Sequence, residues 1–342
     1  MKLISFAIPS YNSEAYLRHA VETILSGGED VEIIIVNDGS KDGTAAIADD
    51  YAAKYPTIVK AIHKPNGGHG SGVNRGLQEA TGLYYKVVDS DDWVDENALD
   101  ALLKTLKRHV SKGIEADLYI TNFVYDKVCI NKQCCRSWKH KLPVDRIFGW
   151  EDVKAFIGSQ TLLMHNLMYK TQTLRSSGMV LPEHTFYVDN IFAYQPLPHV
   201  KKIFYMDVDL YHYFIGRDDQ SVNINNFLKR YDQQIRVMNC MLGAYTYDEI
   251  QAMSPGLRKY MLQDLSAIMM LTMMFCCSGG NDEERRGAYQ KMWDDLKERD
   301  PKMYDYLLHK AYPGLIDWMP WKVKGTTMLI GYKFLQKTLK LG

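Results

Sequence analysis

Tyr84-Tyr85-Lys86-Val87-Val88 runs directly into Asp89-Ser90-Asp91-Asp92. The first five residues read as a strand and the next four as the turn that ends it. Three carboxylates in four residues repel one another, so the turn is costly without a cation nearby. Hard divalent ions take oxygen ligands and pair with phosphates, which makes this strand end a candidate metal site. The plainer alternative is a solvated turn capping a helix that opens at Asp95.

Working outward, the preceding residues alternate apolar runs with helical spacing. Leu3–Ile8, Val31–Val36 and Ile58–Ile62 read as strands; Glu14–Leu25, Thr44–Tyr55 and Gly72–Ala80 read as helices. Strands apolar on both faces and separated by helices predict a parallel sheet covered on two sides. Ligands of such sheets bind beyond the carboxyl ends of the strands. After Asp92 the pattern loosens. Asp95–His109 is a helix, Asp117 to about 145 reads as irregular strands, and Lys202–Met206 and Val208–Phe214 read as a strand pair. From about residue 225 the chain is helical, with Phe227–Leu242, Ser254–Cys277 and Glu283–Lys297. A boundary is set near 224.

Composition excludes several classes. The 342 residues carry 41 basic and 41 acidic side chains, which gives no reason to expect a nucleic-acid partner. No run of about 18 apolar residues is read, arguing against a transmembrane helix. The apolar start reads as a buried strand, since no cleavage site follows it. Cysteines at 129, 134, 135, 240, 276 and 277 lack zinc spacing and read as reduced cytosolic thiols.

Three further loops carry chemistry. Pro9-Ser10-Tyr11-Asn12 follows the first strand and offers a rigid exit and a flat ring. Asn37-Asp38-Gly39-Ser40-Lys41-Asp42-Gly43-Thr44 follows the second; Asp42 or Thr44 can cap the next helix. Asn66-Gly67-Gly68-His69-Gly70-Ser71-Gly72 follows the third and leads into a helix, so its amides can approach an anion. The dinucleotide spacing GxGxxG fails, which disfavours a dehydrogenase, and no Walker lysine is present.

Taken together in this order, these four loops closely resemble family 2 glycosyltransferases of the GT-A fold. The resemblance is strong over residues 1–100 and extends more weakly to 223. It implies an α/β fold, with a Rossmann-like, mostly parallel sheet bearing helices on both faces and a C-terminal helical extension. The expected division is a catalytic domain over 1–223, with a nucleotide-binding half (1–100) and an acceptor half (101–223), followed by helices over 224–342.

The resemblance also implies roles. Tyr11, beside Pro9 and Asn12, stacks on the donor base, and Asp38 bonds its ring nitrogen, favouring uridine. Gly67, Gly68 and Asn74 line the donor, Asp89 with Ser90 holds its ribose side, and Asp91 binds Mn²⁺ or Mg²⁺ at the diphosphate. Tyr187-Val188-Asp189-Asn190 matches the place of the catalytic base, which makes Asp189 the base, with Val188 where an acid is usual. The segment from Tyr211 through Ser221 resembles a loop that closes on the diphosphate; it nominates His212 as a further metal ligand, with a packed strand histidine as the alternative. Val73 stands where the family often has Arg, and Arg217 is the expected replacement. The implied reaction moves a sugar from a nucleotide-diphosphate donor to an acceptor hydroxyl, with inversion. The expected acceptor is a lipid-linked glycan of cell-surface polysaccharide synthesis.

The tail, 318–342, holds five Lys and no acid, with Met328, Tyr332, Leu335 and Leu339 at helical spacing. It reads as a basic helix suited to an anionic membrane surface, or else packed on the protein. The expected place is the cytoplasm, peripheral at the inner membrane face. Two other readings stay open. A non-catalytic nucleotide-sugar-binding protein shares the pocket. A sugar-phosphate nucleotidyltransferase shares the sheet but places a Gly-rich basic loop after strand one.

Overall fold

The computed structural model describes residues 1–127, 132–154, 161–215, 228–279 and 283–339. These fall into two compact units: Met1–Val153 with Leu162–Ile215, and the remainder of the chain. The boundary after Ile215 lies just before the one read from the sequence.

The first unit is built on one mixed sheet. β1 (Ile4–Ser10), β2 (Val31–Asn37), β3 (Val59–His63) and β4 (Tyr84–Val87) are parallel, in the order β3-β2-β1-β4. The sheet continues through β9 (Leu167–Lys170), antiparallel to both neighbours, to β6 (Leu118–Lys127) and β10 (Ile203–Ile215), which are parallel to each other. Three short strands complete the numbering: β5 (Trp93–Val94) and β8 (Ile147–Phe148) pair antiparallel with β10, and β7 (Lys132–Arg136) pairs antiparallel with β6. Every residue of β1, β2 and β4 is buried, as the continuous apolar runs require.

Helices cover both faces. The larger core cluster joins one sheet face (Phe6, Ile8, Ile33, Ile35) to α1 (Leu17–Leu25), α2 (Thr44–Lys54) and α4 (Glu96–Ser111) through Leu17, Ile47 and Leu99. On the other face lies α3 (His69–Glu79), where a Cβ on Gly72 or Gly76 would sit 2.9 Å from Pro9 Cβ or 2.6 Å from Ala7 Cβ. Strand order reverses between β1 and β4, so their carboxyl ends open the crevice in which such sheets hold ligands.

β10 replaces the predicted pair of strands. Its register against β6 shifts between Tyr205 and Asp209 and again between Asp209 and Tyr211. The polar Asp207-Val208-Asp209 interruption is therefore an irregularity within one strand, not a turn.

The second unit is helical: α7 (Tyr231–Ala244), α8 (Tyr247–Gln251), α9 (Pro255–Cys277), α10 (Glu283–Arg299), α11 (Pro301–His309), α12 (Gly314–Asp317) and α13 (Trp321–Leu339) follow α5 (Thr171–Ser176) and α6 (Asp189–Tyr194) of the first unit. By length and composition α9 could cross a membrane, which corrects the expectation that no such run exists; 78% of its apolar window is buried inside the protein. α13 crosses it where a Cβ on Gly325 would meet the Cys277 carbonyl at 2.2 Å. Met328, read as part of a membrane face, is buried, and Lys324 is buried against Asp317 at 2.7 Å. Among the described residues, Trp318, Val323, Ile330 and Phe334 of the tail face outward, as does Leu315 just before it; the side chains of Leu335 and Leu339 lie outside the described residues. The described cysteines are free thiols; Cys129 lies outside the described residues.

Candidate active site

The exits of β1 and β2 are stitched into one surface. Asn12, at φ 50°, accepts from the Lys41 amide at 2.9 Å, while its own amide donates to Ser40 Oγ at 3.0 Å. Tyr11 beside it stays half exposed, a flat ring at the rim. Asp42 caps α2 through the Thr44 amide, as its position suggested.

Asp38 is buried at the end of β2, with its carboxylate already engaged. Oδ1 accepts from Lys64 Nζ at 2.7 Å and the Gly67 amide at 2.9 Å, and Oδ2 from the Gly68 amide at 2.7 Å. The two glycine amides expected to face a donor phosphate thus face Asp38. The third-loop helix also begins earlier than the spacing predicted, at His69. Gly70, Gly72 and Gly76 therefore lie on it, and serve close packing.

The loop after β4 does not leave its carboxylates to repel one another. Burial works against ionising Asp89, but His69 Nε2, 2.7 Å from Oδ1, outweighs it and holds the carboxyl below its ordinary range. Asp92 takes the opposite course. Burial, then the charges of Asp91 and Asp89, push it well above its ordinary value. It is bonded to the Tyr211 hydroxyl and, at 2.9 Å, to the Phe214 amide. Tyr211 also accepts from the Asp89 amide at 3.2 Å, so β10 braces the whole turn. Ser90 Oγ meets Ser13 Oγ at 2.6 Å, tying this loop to the β1 exit. The helix cap is Asp95, through the Ala98 amide at 2.8 Å, which frees Asp91 from the capping role of the plainer reading.

Asp189 arrives from the distant segment 181–188, clamped to α3 at two points. Asn74 Nδ2 donates to the Leu181 carbonyl at 2.8 Å and its Oδ1 accepts from the Leu181 amide at 3.0 Å. The His184 amide donates to the Gly67 carbonyl at 2.6 Å. His184 and Tyr187 hold φ of 47° and 64°, left-handed values that non-glycine residues keep only under outside constraint. Asp189 opens α6, and burial raises its carboxyl above the ordinary range, with Asp89 adding to the rise and His69 opposing it. A base poised nearer neutrality is the kind that acid–base chemistry uses.

Three buried groups near these loops were not found from the sequence. Lys86, fully buried in β4, donates to the His165 carbonyl at 2.7 Å, and burial brings its ammonium down to about 7. His165 stacks between Tyr211 and Tyr213 at 4.8 and 4.9 Å. Burial takes its imidazole down to about 4, and its Nδ1 has no hydrogen-bond partner among the described residues. The third group is His69. Carboxylate and imidazole atoms of Asp89, Asp92 and His165 lie within 4.8 Å of one another. Oxygen donors with one unclaimed imidazole nitrogen fit a divalent cation.

The structure does not bring His212 to the cluster of Asp89, Asp92 and His165. Neighbouring strand residues face opposite ways, and Tyr211 already points at Asp92. His212 pairs with Asp126 at 2.5 Å, stacks on Trp93 at 5.4 Å and lines a separate cavity of about 640 Å³ with Asn122, Asp207 and Asp209. Arg217 lies outside the described residues.

A nucleotide-type crevice at a strand-order reversal, an acidic loop and a lone distant carboxylate together define the GT-A class. Solved structures agree. TarS residues 1–349 of S. aureus, in complex with UDP-GlcNAc, match at a TM-score of 0.65 with 18% identity, covering 96% of this chain and 89% of that one. A mannosyltransferase, PcManGT from Pyrobaculum calidifontis in complex with GDP-Man and Mn²⁺, matches at 0.52 with 12% identity, covering 95% and 84%. Residues 5–129 match the profile of glycosyl transferase family 2, and the chain carries a domain of that family there. EpsH of Bacillus subtilis (strain 168) is 27% identical over 68% of this chain and 64% of its own length. The minor teichoic acid biosynthesis protein GgaB of the same organism is 39% identical over 31% of this chain and 12% of its own length. The chain thus spans less than two thirds of these relatives.

Proposed function

We propose that this protein is a metal-dependent, inverting glycosyltransferase that moves a hexosyl or N-acetylhexosaminyl group from a UDP-sugar to a hydroxyl of a lipid-linked or polymeric surface glycan. The observation that carries this is the clamp of segment 181–188 on α3, which sets Asp189 beside Asp89. The ligands in the titles of the TarS and PcManGT structures support a nucleotide-sugar donor and Mn²⁺, and the name of GgaB supports a polymeric acceptor.

In this reading Tyr11 covers the base, with Pro9 and Asn12 shaping the rim. Asp38 acts through the Gly67-Gly68 turn it pins, and Asn74 through the clamp. Asp89 and Ser90 take the ribose side, and the role expected of Arg217 is a diphosphate contact. Asp91 would hold Mn²⁺ or Mg²⁺, in the loop that also carries Asp89 and Asp92 of the cluster with His165. When bound, the ion stabilises charge on the departing diphosphate. Asp189 takes the acceptor hydroxyl's proton, and one in-line displacement inverts the anomeric centre. Donor turnover in Mn²⁺ buffer, with Asp91→Ala and EDTA as controls, tests this: both should abolish transfer. Full activity in either would overturn the metal role, and donor binding with no turnover in the wild type would favour the non-catalytic alternative.

The outward apolar set Leu315, Trp318, Val323, Ile330 and Phe334, in a tail of five lysines and no acid after Trp318, supports peripheral attachment at the cytoplasmic membrane face. Trp318→Ser with Ile330→Ser and Phe334→Ser should release the protein from anionic liposomes. Unchanged partitioning would refute the attachment.

A further inference from the structure

His69 has no role in the reading above, yet the glycine-rich loop is shaped around it. Gly68, before it, has φ +82°, and a Cβ there would sit 3.1 Å from the His184 amide nitrogen. Gly70, after it, faces the Pro182 carbonyl, where a Cβ would come within 2.8 Å. Side chains at either place would push α3 away from segment 181–184. The two glycines let the start of α3 close on that segment, and between them His69 turns its ring to the acidic loop. Its Nε2 lies 2.7 Å from Asp89 Oδ1, in a contact where each side chain is mostly buried (32% and 24% exposed). A carboxylate oxygen only accepts, so Nε2–H is the donor in this contact.

We propose that His69 is a positioning residue for the donor: it fixes the rotamer of Asp89 through one carboxylate oxygen, so that the other is aimed at the ribose hydroxyls. This rests on the nucleotide-sugar reading and on Asp89 as its ribose contact. Without His69, a carboxylate beside Asp91 turns toward solvent or toward a cation, and the ribose loses a preset acceptor. The loop Gly68-His69-Gly70 is then a mount for an imidazole, not a phosphate cradle.

The experiment measures binding of UDP and of 2′,3′-dideoxy-UDP to the full chain in Mn²⁺ buffer. The wild type should prefer UDP by about tenfold or more, the worth of one hydrogen bond to a charged group. His69→Ala should lose most of that preference, whereas His69→Gln, which keeps an N–H donor at similar reach, should retain it. Asp89→Asn should lose it too, and the double variant should lose no more than either single, since coupled residues are not additive. Thermal unfolding of each variant accompanies the binding. A His69→Ala protein that melts earlier but keeps the wild-type preference for UDP would overturn the proposal, as would full additivity in the double variant. A wild type that binds neither nucleotide would bring down the donor reading as well; one that binds both equally would bring down only the ribose contact and its mount.

Discussion

The acidic loop after β4 and the helix α9 both bury carboxyl groups, on opposite terms. At the loop each buried group is met by groups aimed at it: Asp89 by His69, Asp92 by Tyr211 and the Phe214 amide. One stays charged and one is driven toward its neutral form, so three acids coexist in four residues. In α9, Asp264 is buried, and burial by itself raises its carboxyl to about 7. An acid met by partners can be held in a set charge state; an acid that is only buried gives up its charge.

The sharpest break of this contrast is Asp189→Asn. It should lower turnover about 10²- to 10⁴-fold, the usual worth of a general base, with donor affinity intact, as read by single-turnover kinetics beside nucleotide binding. In the wild type the rate should fall on acidification through a pH above the ordinary carboxylate range, because burial raises Asp189 and protonation removes the base. Near-normal turnover of the variant would unseat Asp189.

The next effect is on stability. The folded-state value of Asp264 lies above the unfolded one, so the folded state holds the extra proton between about pH 4 and 7. Unfolding free energy should therefore fall as pH rises through that window, by up to a few kcal/mol, and Asp264→Asn should flatten the slope. Urea unfolding of both proteins at several pH values checks it; parallel slopes would mean that the carboxyl ionises inside the fold without penalty.

The smallest effect is at Tyr211→Phe. It removes the hydroxyl that meets Asp92 and the Asp89 amide, and should cost about 1–3 kcal/mol, the range for a buried polar group that loses its partner. Equal stability of the variant would show that the brace contributes nothing net.

How much of this was legible follows from where the partners lie. β1, β2 and β4 announced themselves because burial on both faces demands mainly apolar runs, and Ser254–Cys277 was read nearly to the residue because Pro255 opens the helix and the apolar spacing never lapses. The loop residues were visible because each sits directly at a strand end. What was hidden depends on long-range pairing. His69 acquires meaning only from Asp89, 20 residues on; Tyr211 only from Asp92, 119 residues back; Lys86 only from a carbonyl at 165. No local pattern encodes such contacts. Asp207 separated two strands in the sequence reading because a strand irregularity and a break between strands share the same polar residues. Which side of β10 His212 takes depends on register, which one residue of slip reverses.

The clamp between Asn74 and Leu181 has a consequence for anyone who would exchange parts among these enzymes. The segment carrying Asp189 is not a detachable module: its shape is held by an amide 107 residues upstream and by the chain at Gly67. A chimera that takes residues 181–194 from a relative must bring a matching start of α3 with it, or the transplanted carboxylate will arrive out of aim.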